Sequence, residues 1–399
     1  MSKLEVKNIY KVFGPSPKSI LPMLKDGADK TKILKDYKHS VGVNNVSLSV
    51  NEGEIFVVMG LSGSGKSTLI RCLNRLIKTT SGSILIDDED ITKVSSVRMR
   101  EIRRKKIAMV FQNFGLLPHK TVLENVAFGL EIQNMPVAER RQKALKMLEL
   151  VGLAGYSNAQ PKELSGGMQQ RVGLARALAT EADILLMDEA FSALDPLIRK
   201  DMQNELLALQ QKMQKTIVFI THDLDEALKI GDRIAIMKDG NIVQIGHAEE
   251  ILQNPADDYV SEFTNDVNRA KIITASTIMR KAESIILEKS GVRTAAHKMN
   301  DLGISSIFVT NKNGVFRGIV TIEQVAELMK EGKKDLESYV KADVQTVAGD
   351  TPIDQIIPLV IDSKYPVAVV DSDEKLQGIV FKSTLLAGIN GKGGSNHHA

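Results

Sequence analysis

Between Gly60 and Ser67 the chain reads Gly-Leu-Ser-Gly-Ser-Gly-Lys-Ser, the G-x-x-x-x-G-K-[ST] spacing of a loop that wraps phosphates. Glycines at 60, 63 and 65 let main-chain N–H groups turn toward an anion, and the helix start that follows adds positive potential. Lys66 supplies a full charge for the outer phosphates, Ser67 a hydroxyl for Mg²⁺, and Ser62, Ser64 and Thr68 complete the expected cradle. Far downstream, Asp188 and Glu189 end an apolar run, where adjacent carboxylates repel unless a cation or a proton compensates. Asp188 suits a Mg²⁺ shell. Glu189, expected on the other side of the pleat, is placed to polarise an attacking water. Gln112 and His222 each follow another apolar run and are expected within reach of the same ligand. For the acid pair the competing reading is a plain charged surface; for Gln112 or His222 alone it is structural hydrogen bonding.

These side chains need a frame. Four continuous apolar runs, 55–59, 107–111, 184–187 and 217–220, have the composition of parallel strands buried on both faces. Helix-like patterns at 141–150 and 169–179 lie between them, so an α/β domain with an open sheet is expected, its ligand at the carboxyl ends of the strands. A length of 399 residues exceeds one ordinary core and predicts two or three domains. With 43% hydrophobic and 25% charged residues, the chain is neither disordered nor fibrous. A formal net charge of +3 is too near neutrality to imply nucleic acid, and none is expected as a partner. Cys72, the only cysteine, excludes an internal disulfide and a Cys-rich zinc site and fits a reducing compartment. The first residues lack the apolar stretch of a signal peptide, and no apolar run is long enough to cross a bilayer. Any service to a membrane is therefore expected from its aqueous side.

The run Leu164-Ser165-Gly166-Gly167-Met168-Gln169-Gln170 resembles the signature motif of ABC transporter ATPases and lies between the two nucleotide motifs, as in that family. Ser192-Ala193-Leu194-Asp195 resembles the D-loop, Gln112 the Q-loop and His222 the switch histidine. The resemblance covers the chain from Leu4 to about residue 252 and implies an ATPase that uses ATP and Mg²⁺. It implies Glu189, His222 and Gln112 at the chemistry, and Ser67, Gln112 and Asp188 at the metal. It also implies a second copy of the chain docked head to tail, so that Ser165, Gly166, Gly167 and Asp195 of one subunit cover the nucleotide of the other. Adenine stacks on an aromatic residue upstream of the loop in this family. Phe13 matches best, with Tyr37 a rival inside a lysine-rich insertion at 15–40 and core packing a third reading.

Beyond residue 253 the texture changes. A linker is expected over 254–271, and then Ile307-Phe308-Val309 with Gly318-Ile319-Val320 is echoed by Val367-Ala368-Val369-Val370 with Gly378-Ile379-Val380. Two βαββα copies, about 272–332 and 333–390, resemble a tandem CBS pair. The tail 391–399, with His397 and His398, is expected to be mobile. The full expectation is thus a P-loop ABC-type α/β domain over 1–253, with a helical subdomain at about 113–170, followed by an α+β regulatory module.

Within ABC ATPases, Asn74-Arg75-Leu76-Ile77 and Val110-Phe111-Gln112 leading to Leu117-Pro118-His119 resemble the glycine betaine/proline importers, a subgroup that carries such CBS pairs. The resemblance implies a subunit peripheral to the cytoplasmic face of the plasma membrane, working with permease subunits and a substrate-binding domain. A methionine-type importer is the runner-up. A soluble non-transport ABC ATPase would require a long coiled-coil insertion or fused ATPase halves, and neither is visible. Nucleotide-binding CBS members place an Asp three residues after a Thr or Ser. Here Thr321 is followed by Gln324 and, in the second copy, Phe381 by Thr384, so both ribose carboxylates are missing; cyclic di-AMP is the expected regulatory ligand and a ligand-free scaffold the competing reading. Lysines in the insertion (18, 25, 30, 32, 35, 38) and the run Arg98, Arg100, Arg103, Arg104, Lys105, Lys106 read as solvated faces, or as contacts with anionic lipid.

Overall fold

The chain divides after residue 266 into two units. The computed structural model describes residues 2–112, 114–192, 194–264, 270, 272–333 and 335–389. The tail 391–399 lies outside them. The first unit opens with β1 (Ser2–Phe13), α1 (Leu21–Lys25), α2 (Lys30–Tyr37), β2 (Ser40–Asn51), β3 (Ile55–Met59), α3 (Lys66–Leu73), β4 (Ser81–Ile86), β5 (Glu89–Asp90), α4 (Ser96–Lys105) and β6 (Ile107–Val110). It continues through α5 (Val122–Ile132), α6 (Val137–Leu150), α7 (Gly166–Ala179), β7 (Ile184–Asp188), α8 (Pro196–Met213) and β8 (Thr216–Thr221). It ends with α9 (Leu224–Ile230), β9 (Arg233–Lys238), β10 (Asn241–Gly246), α10 (Ala248–Gln253) and α11 (Asp258–Thr264). The last of these stands inside the stretch expected to be linker, with Val260 and Thr264 fully buried.

All four apolar runs are parallel neighbours in one six-stranded sheet of order β10-β9-β3-β8-β7-β6. Every residue of β3, β7 and β8 is buried, which is why these strands read as unbroken hydrophobic runs rather than alternations. A second, antiparallel sheet, β2-β1-β4-β5, faces it across a core that includes Leu4, Val6, Phe56, Val58, Leu186 and Ile220. Helix α3 buries Leu69, Ile70, Cys72 and Leu73 in the same core, so the phosphate loop is anchored at both ends by packing. Burial raises the Cys72 thiol to about 11, leaving it an unreactive packing group.

Helices α5, α6 and α7 share a separate core containing Val126, Leu130, Leu148 and Val172. Thr121 and Glu124 form a capping box at the start of α5. Asn125, fully buried, accepts from Leu117 N and donates to the carbonyls of Leu117, Lys120 and Thr121, fixing the loop that descends from Gln112. The 15–40 insertion buries Ile20, Leu24 and Ile33 against Tyr10, Val12 and Val41 in a small core of its own.

In the second unit, α12 (Ala275–Ile278), β11 (Ser284–Ile286), α13 (Val292–Leu302), β12 (Ser306–Thr310), β13 (Phe316–Thr321) and α14 (Ile322–Lys330) form the first copy. The second copy comprises β14 (Thr346–Ala348), α15 (Ile353–Asp362), β15 (Val367–Val370), β16 (Leu376–Val380) and α16 (Lys382–Ile389). Each copy has a three-stranded sheet, β11-β12-β13 or β14-β15-β16. The copies exchange their leading segments: Ile273, Ala275 and Ile278 sit in the second core, while Leu336 sits in the first with Tyr339 and Val340 packed against it. Phe308, Ile319, Ala368 and Ile379 join the two sheets. Neither copy alone would keep its core covered.

Candidate functional site

Gly60, Gly63 and Gly65 all have positive φ, at 149°, 81° and 104°. At two of them space is decisive as well: a Cβ on Gly60 would lie 2.2 Å from Met237 O, and one on Gly65 2.2 Å from Gly42 O. The loop closes tightly enough to bury Lys66, whose Nζ donates to Gly60 O at 2.7 Å and Leu61 O at 3.0 Å. No carboxylate lies in salt-bridge range of this ammonium among the described residues, and burial lowers its pKa. The buried Ser64 hydroxyl has no hydrogen-bond partner among those residues. A buried cation without an anion, an idle hydroxyl and a main-chain cradle fit a polyphosphate.

Beside this loop, Ser67 Oγ donates to Asp188 Oδ1 at 3.1 Å. Asp188 is buried, which raises its pKa. Against that burial act the Ser67 bond and the Arg71 guanidinium, whose Nη2 stands 4.0 Å from Oδ2. A carboxylate so short of positive charge beside a hydroxyl fits Mg²⁺, which takes one or two protein oxygens and completes its shell with phosphate and water.

Glu189 lies past the end of β7 at φ 47°, so its carboxylate is turned by a left-handed kink rather than by the alternation of the pleat. This corrects the expectation from strand pattern. Its N–H is held by Ile220 O at 3.1 Å. Two side chains converge on its Oε2: Gln112 Nε2 at 3.3 Å and His222 Nδ1 at 3.4 Å. Gln112 Nε2 also donates to Ser192 Oγ at 3.3 Å. The Gln112 amide nitrogen thus serves Glu189 and Ser192; the amide makes no hydrogen bond to Ser67 or Asp188. Glu189 Oε1 takes no hydrogen bond among the described residues, so one oxygen is pinned and one is left for a water.

Phe13 is 40% exposed, with Lys11 Nζ 4.6 Å from its ring centroid. A Cβ on Gly42 would sit 3.0 Å from both Phe13 Cε2 and Thr68 Cγ2, which brings this ring to the start of α3. Tyr37 is also exposed, at the end of α2, where its carbonyl meets His39 Nδ1 at 2.6 Å.

The signature residues stand apart from the phosphate loop. Ser165 caps α7, accepting from Met168 N at 3.4 Å, and Asp195 caps α8, accepting from Ile198 N at 3.1 Å. A Cβ on Gly167 would lie 2.5 Å from Ile198 Cγ2, so the two helix starts lie side by side, and Ser165, Gly166, Asp195 and Leu197 are exposed there. Neither group shares a hydrogen bond or ion pair with residues 60–68 among the described residues.

Several site residues escaped the spacing rules. Arg71 stands beside Asp188, and Ser192, marked in the sequence only as the start of the D-loop run, accepts from Gln112. Arg176, half-buried on α7, donates to Phe114 O and Gly115 O and so steadies the turn after Gln112. Behind His222 lie buried contacts, Thr221 Oγ1 donating to Glu226 Oε2 and Gln203 Nε2 to Glu226 Oε1 at 3.0 Å, and a half-buried pair in which Arg199 Nη1 donates to Asp223 Oδ2 at 3.2 Å. Burial raises the pKa of Glu226. A repeated apolar run does not announce such polar groups.

In the second unit a cavity of about 610 Å³ lies between the two copies, lined by Arg280, Lys281 and Lys364 and by Phe308, Tyr365 and Phe381. Glu283 and Glu323 also line it, so its charge balance is only slightly basic. Thr321 and Gln324 are occupied in a capping box on α14, and Gln324 Nε2 donates to Tyr339 O at 2.9 Å.

The ABC transporter family model matches residues 43–192, and the CBS domain model residues 275–331 and 335–391. Over 98% of both chains, this one is 52% identical to the glycine betaine/carnitine transport ATP-binding protein GbuA of Listeria monocytogenes. It is 49% identical, over 99% of both chains, to the glycine betaine/proline betaine transport ATP-binding protein ProV of Salmonella typhimurium. Among solved structures, the dimeric post-hydrolysis state of the ATP-binding cassette MJ0796 with ADP and Pi matches with a TM-score of 0.52 and 34% identity, covering 61% of this chain and 98% of that one.

Proposed function

The chain belongs to the ABC transporter family, among the glycine betaine transport ATP-binding proteins, and on that footing we propose that two copies close around ATP and Mg²⁺ to drive uptake of a quaternary-amine solute through a membrane permease. It is an ATPase subunit. The observation that carries the site assignment is the buried Lys66 ammonium, held among the described residues only by the Gly60 and Leu61 carbonyls beside the Ser67–Asp188 pair.

Each residue then has one task. Lys66 and the glycine-rich main chain bind the phosphates, and Phe13 stacks on the adenine. Ser67 and Asp188 hold Mg²⁺, which when bound neutralises charge on the transferred phosphoryl group. Glu189 orients the attacking water through Oε1 and takes its proton as the new O–P bond forms and the bond to ADP breaks, while Gln112 and His222 keep Oε2 in place. Ser165, Gly166 and Asp195, exposed at paired helix starts, together with Gly167 cover the nucleotide held by the other subunit. A methionine-type or soluble role is not favoured by relatives that match over the whole chain. The test is uptake of labelled glycine betaine into vesicles holding the permease and this subunit, with ATP inside a right-side-out vesicle. Uptake that persists with Glu189→Gln would reject the coupling.

No helix among the described residues is long and apolar enough to cross a membrane. The proposed location is the cytoplasmic face, peripheral to the permease. Contact with anionic lipid is proposed for the insertion, where Lys18, Lys25, Lys32, Lys35 and Lys38 are exposed and make no salt bridge among the described residues. In the other basic run Arg98 pairs with Glu89 and Glu101, Arg103 donates to Asn74 O and Arg75 O, and Lys106 pairs with Asp87.

The CBS cavity supports cyclic di-AMP as regulator: aromatic side chains can stack on two bases and exposed cations meet two phosphates, while Thr321 and Gln324 are spent on the helix cap. Calorimetry on the full chain tests this, with AMP as the competing ligand; tighter binding of AMP would overturn it.

A further inference from the structure

The peptide joining Gly60 and Leu61 is used on both edges. Its carbonyl accepts from Lys66 Nζ at 2.7 Å. Its N–H, on the opposite edge of a trans peptide, donates to the Tyr259 hydroxyl at 3.5 Å. That hydroxyl donates onward to Met237 O at 3.4 Å. Met237 O is the atom a Cβ on Gly60 would strike, so Tyr259 braces the loop where it passes closest to β9.

The tyrosine is itself well held. Its ring meets Phe263 edge-on at 5.2 Å, and Lys238 Nζ stands 4.5 Å from the ring centroid. Asp257 immediately precedes α11, the helix that carries it, and its Oδ1 accepts from Val260 N at 2.9 Å; the helix buries Val260 and Thr264 completely. No motif marks this contact, because Tyr259 lies 198 residues from Leu61 in the chain.

We propose that Tyr259 is a positioning residue of the ATP site: by fixing the plane of the Gly60–Leu61 peptide it sets where the Lys66 ammonium stands. The inference rests on the reading of residues 60–67 as the ATP loop. A free peptide could rotate about the φ of Leu61 and the ψ of Gly60, carrying the carbonyl away from Lys66. Glycine at 60 makes that rotation cheap, so a brace is needed.

The test uses the full chain. Tyr259→Phe keeps the ring and removes the hydroxyl, and should weaken ATP binding about fivefold, raising KM with little change in kcat or Tm. Phe263→Leu loosens the same helix but leaves the hydroxyl, and should lower Tm while ATP affinity stays near wild type. Wild-type affinity in Tyr259→Phe, or an affinity loss that tracks Tm across both variants, would overturn the proposal. Lys66→Ala is measured alongside. If it too binds ATP like the wild type, the ATP-loop reading falls with it; if only Tyr259→Phe is silent, the Tyr259 role falls alone.

Discussion

In the first unit the groups that would meet phosphate are few, buried and fixed by main chain. Lys66 and Asp188 are both pushed by burial toward their neutral forms, as is Glu226 behind His222. In the cleft of the second unit Arg280, Lys281 and Lys364 are exposed. Of the charges that line it, Glu323 is held below its ordinary pKa range by hydrogen bonds from its own N–H and from Thr321. A preformed low-dielectric site stores unfavourable desolvation that a ligand of matching charge relieves, so single atoms matter. An open cleft works by shape and a spread of weak charges, so single changes should be felt gradually.

The sharpest break in that contrast should come from Glu189→Gln. The amide preserves size but cannot accept a proton, so steady-state ATP hydrolysis should fall at least about a hundredfold while ATP still binds. Near-normal turnover would remove Glu189 from the chemistry. Next in size is Lys66→Ala, expected to weaken ATP binding by about ten- to a hundredfold in a nucleotide titration, since a buried charge-assisted contact is lost. Lys364→Ala in the cleft should weaken cyclic di-AMP binding by only about threefold, with the difference shrinking as salt is raised. An effect as large as that of Lys66→Ala would mean that the cleft, too, is a preorganised site.

The smallest effect concerns pH. Burial raises the folded-state pKa of Glu226 above its unfolded value, so the folded chain binds that proton more tightly. Stability is therefore fullest below the ordinary carboxylate pKa and declines as pH rises through the raised one. Glu226→Gln should flatten the fall of Tm over that interval, and Asp188, raised in the same direction, accounts for slope that remains. An unchanged slope would show that Glu226 stays ionised throughout.

The contrast also explains what could be read in advance. The strands at 55–59, 184–187 and 217–220 were legible because a strand buried on both faces has no alternative to unbroken apolar residues. The loop at 60–67 was legible because close approach and positive φ leave glycine alone at Gly60 and Gly65. Glu189 was identified but not its geometry, since nothing in Met187-Asp188-Glu189 announces a left-handed residue. Tyr259, Arg176 and Arg199 act through main-chain or long-range contacts that leave no spacing, and α11 was hidden because Asn254-Pro255 reads as a boundary. In the second unit the repeat was plain, but the exchange of leading segments between copies depends on tertiary packing that a repeat does not encode.

The proposed ATP site is completed in trans, by Lys66 of one subunit and Ser165 of another. That completion is tested most directly by nucleotide occlusion in mixed dimers carrying Glu189→Gln throughout. With Lys66→Ala in one subunit and Ser165→Arg in the other, both defects fall in one site, and the second site should still trap ATP. With both changes in the same subunit, each site carries one defect and trapping should be lost. Equal trapping by the two arrangements would rule out completion in trans.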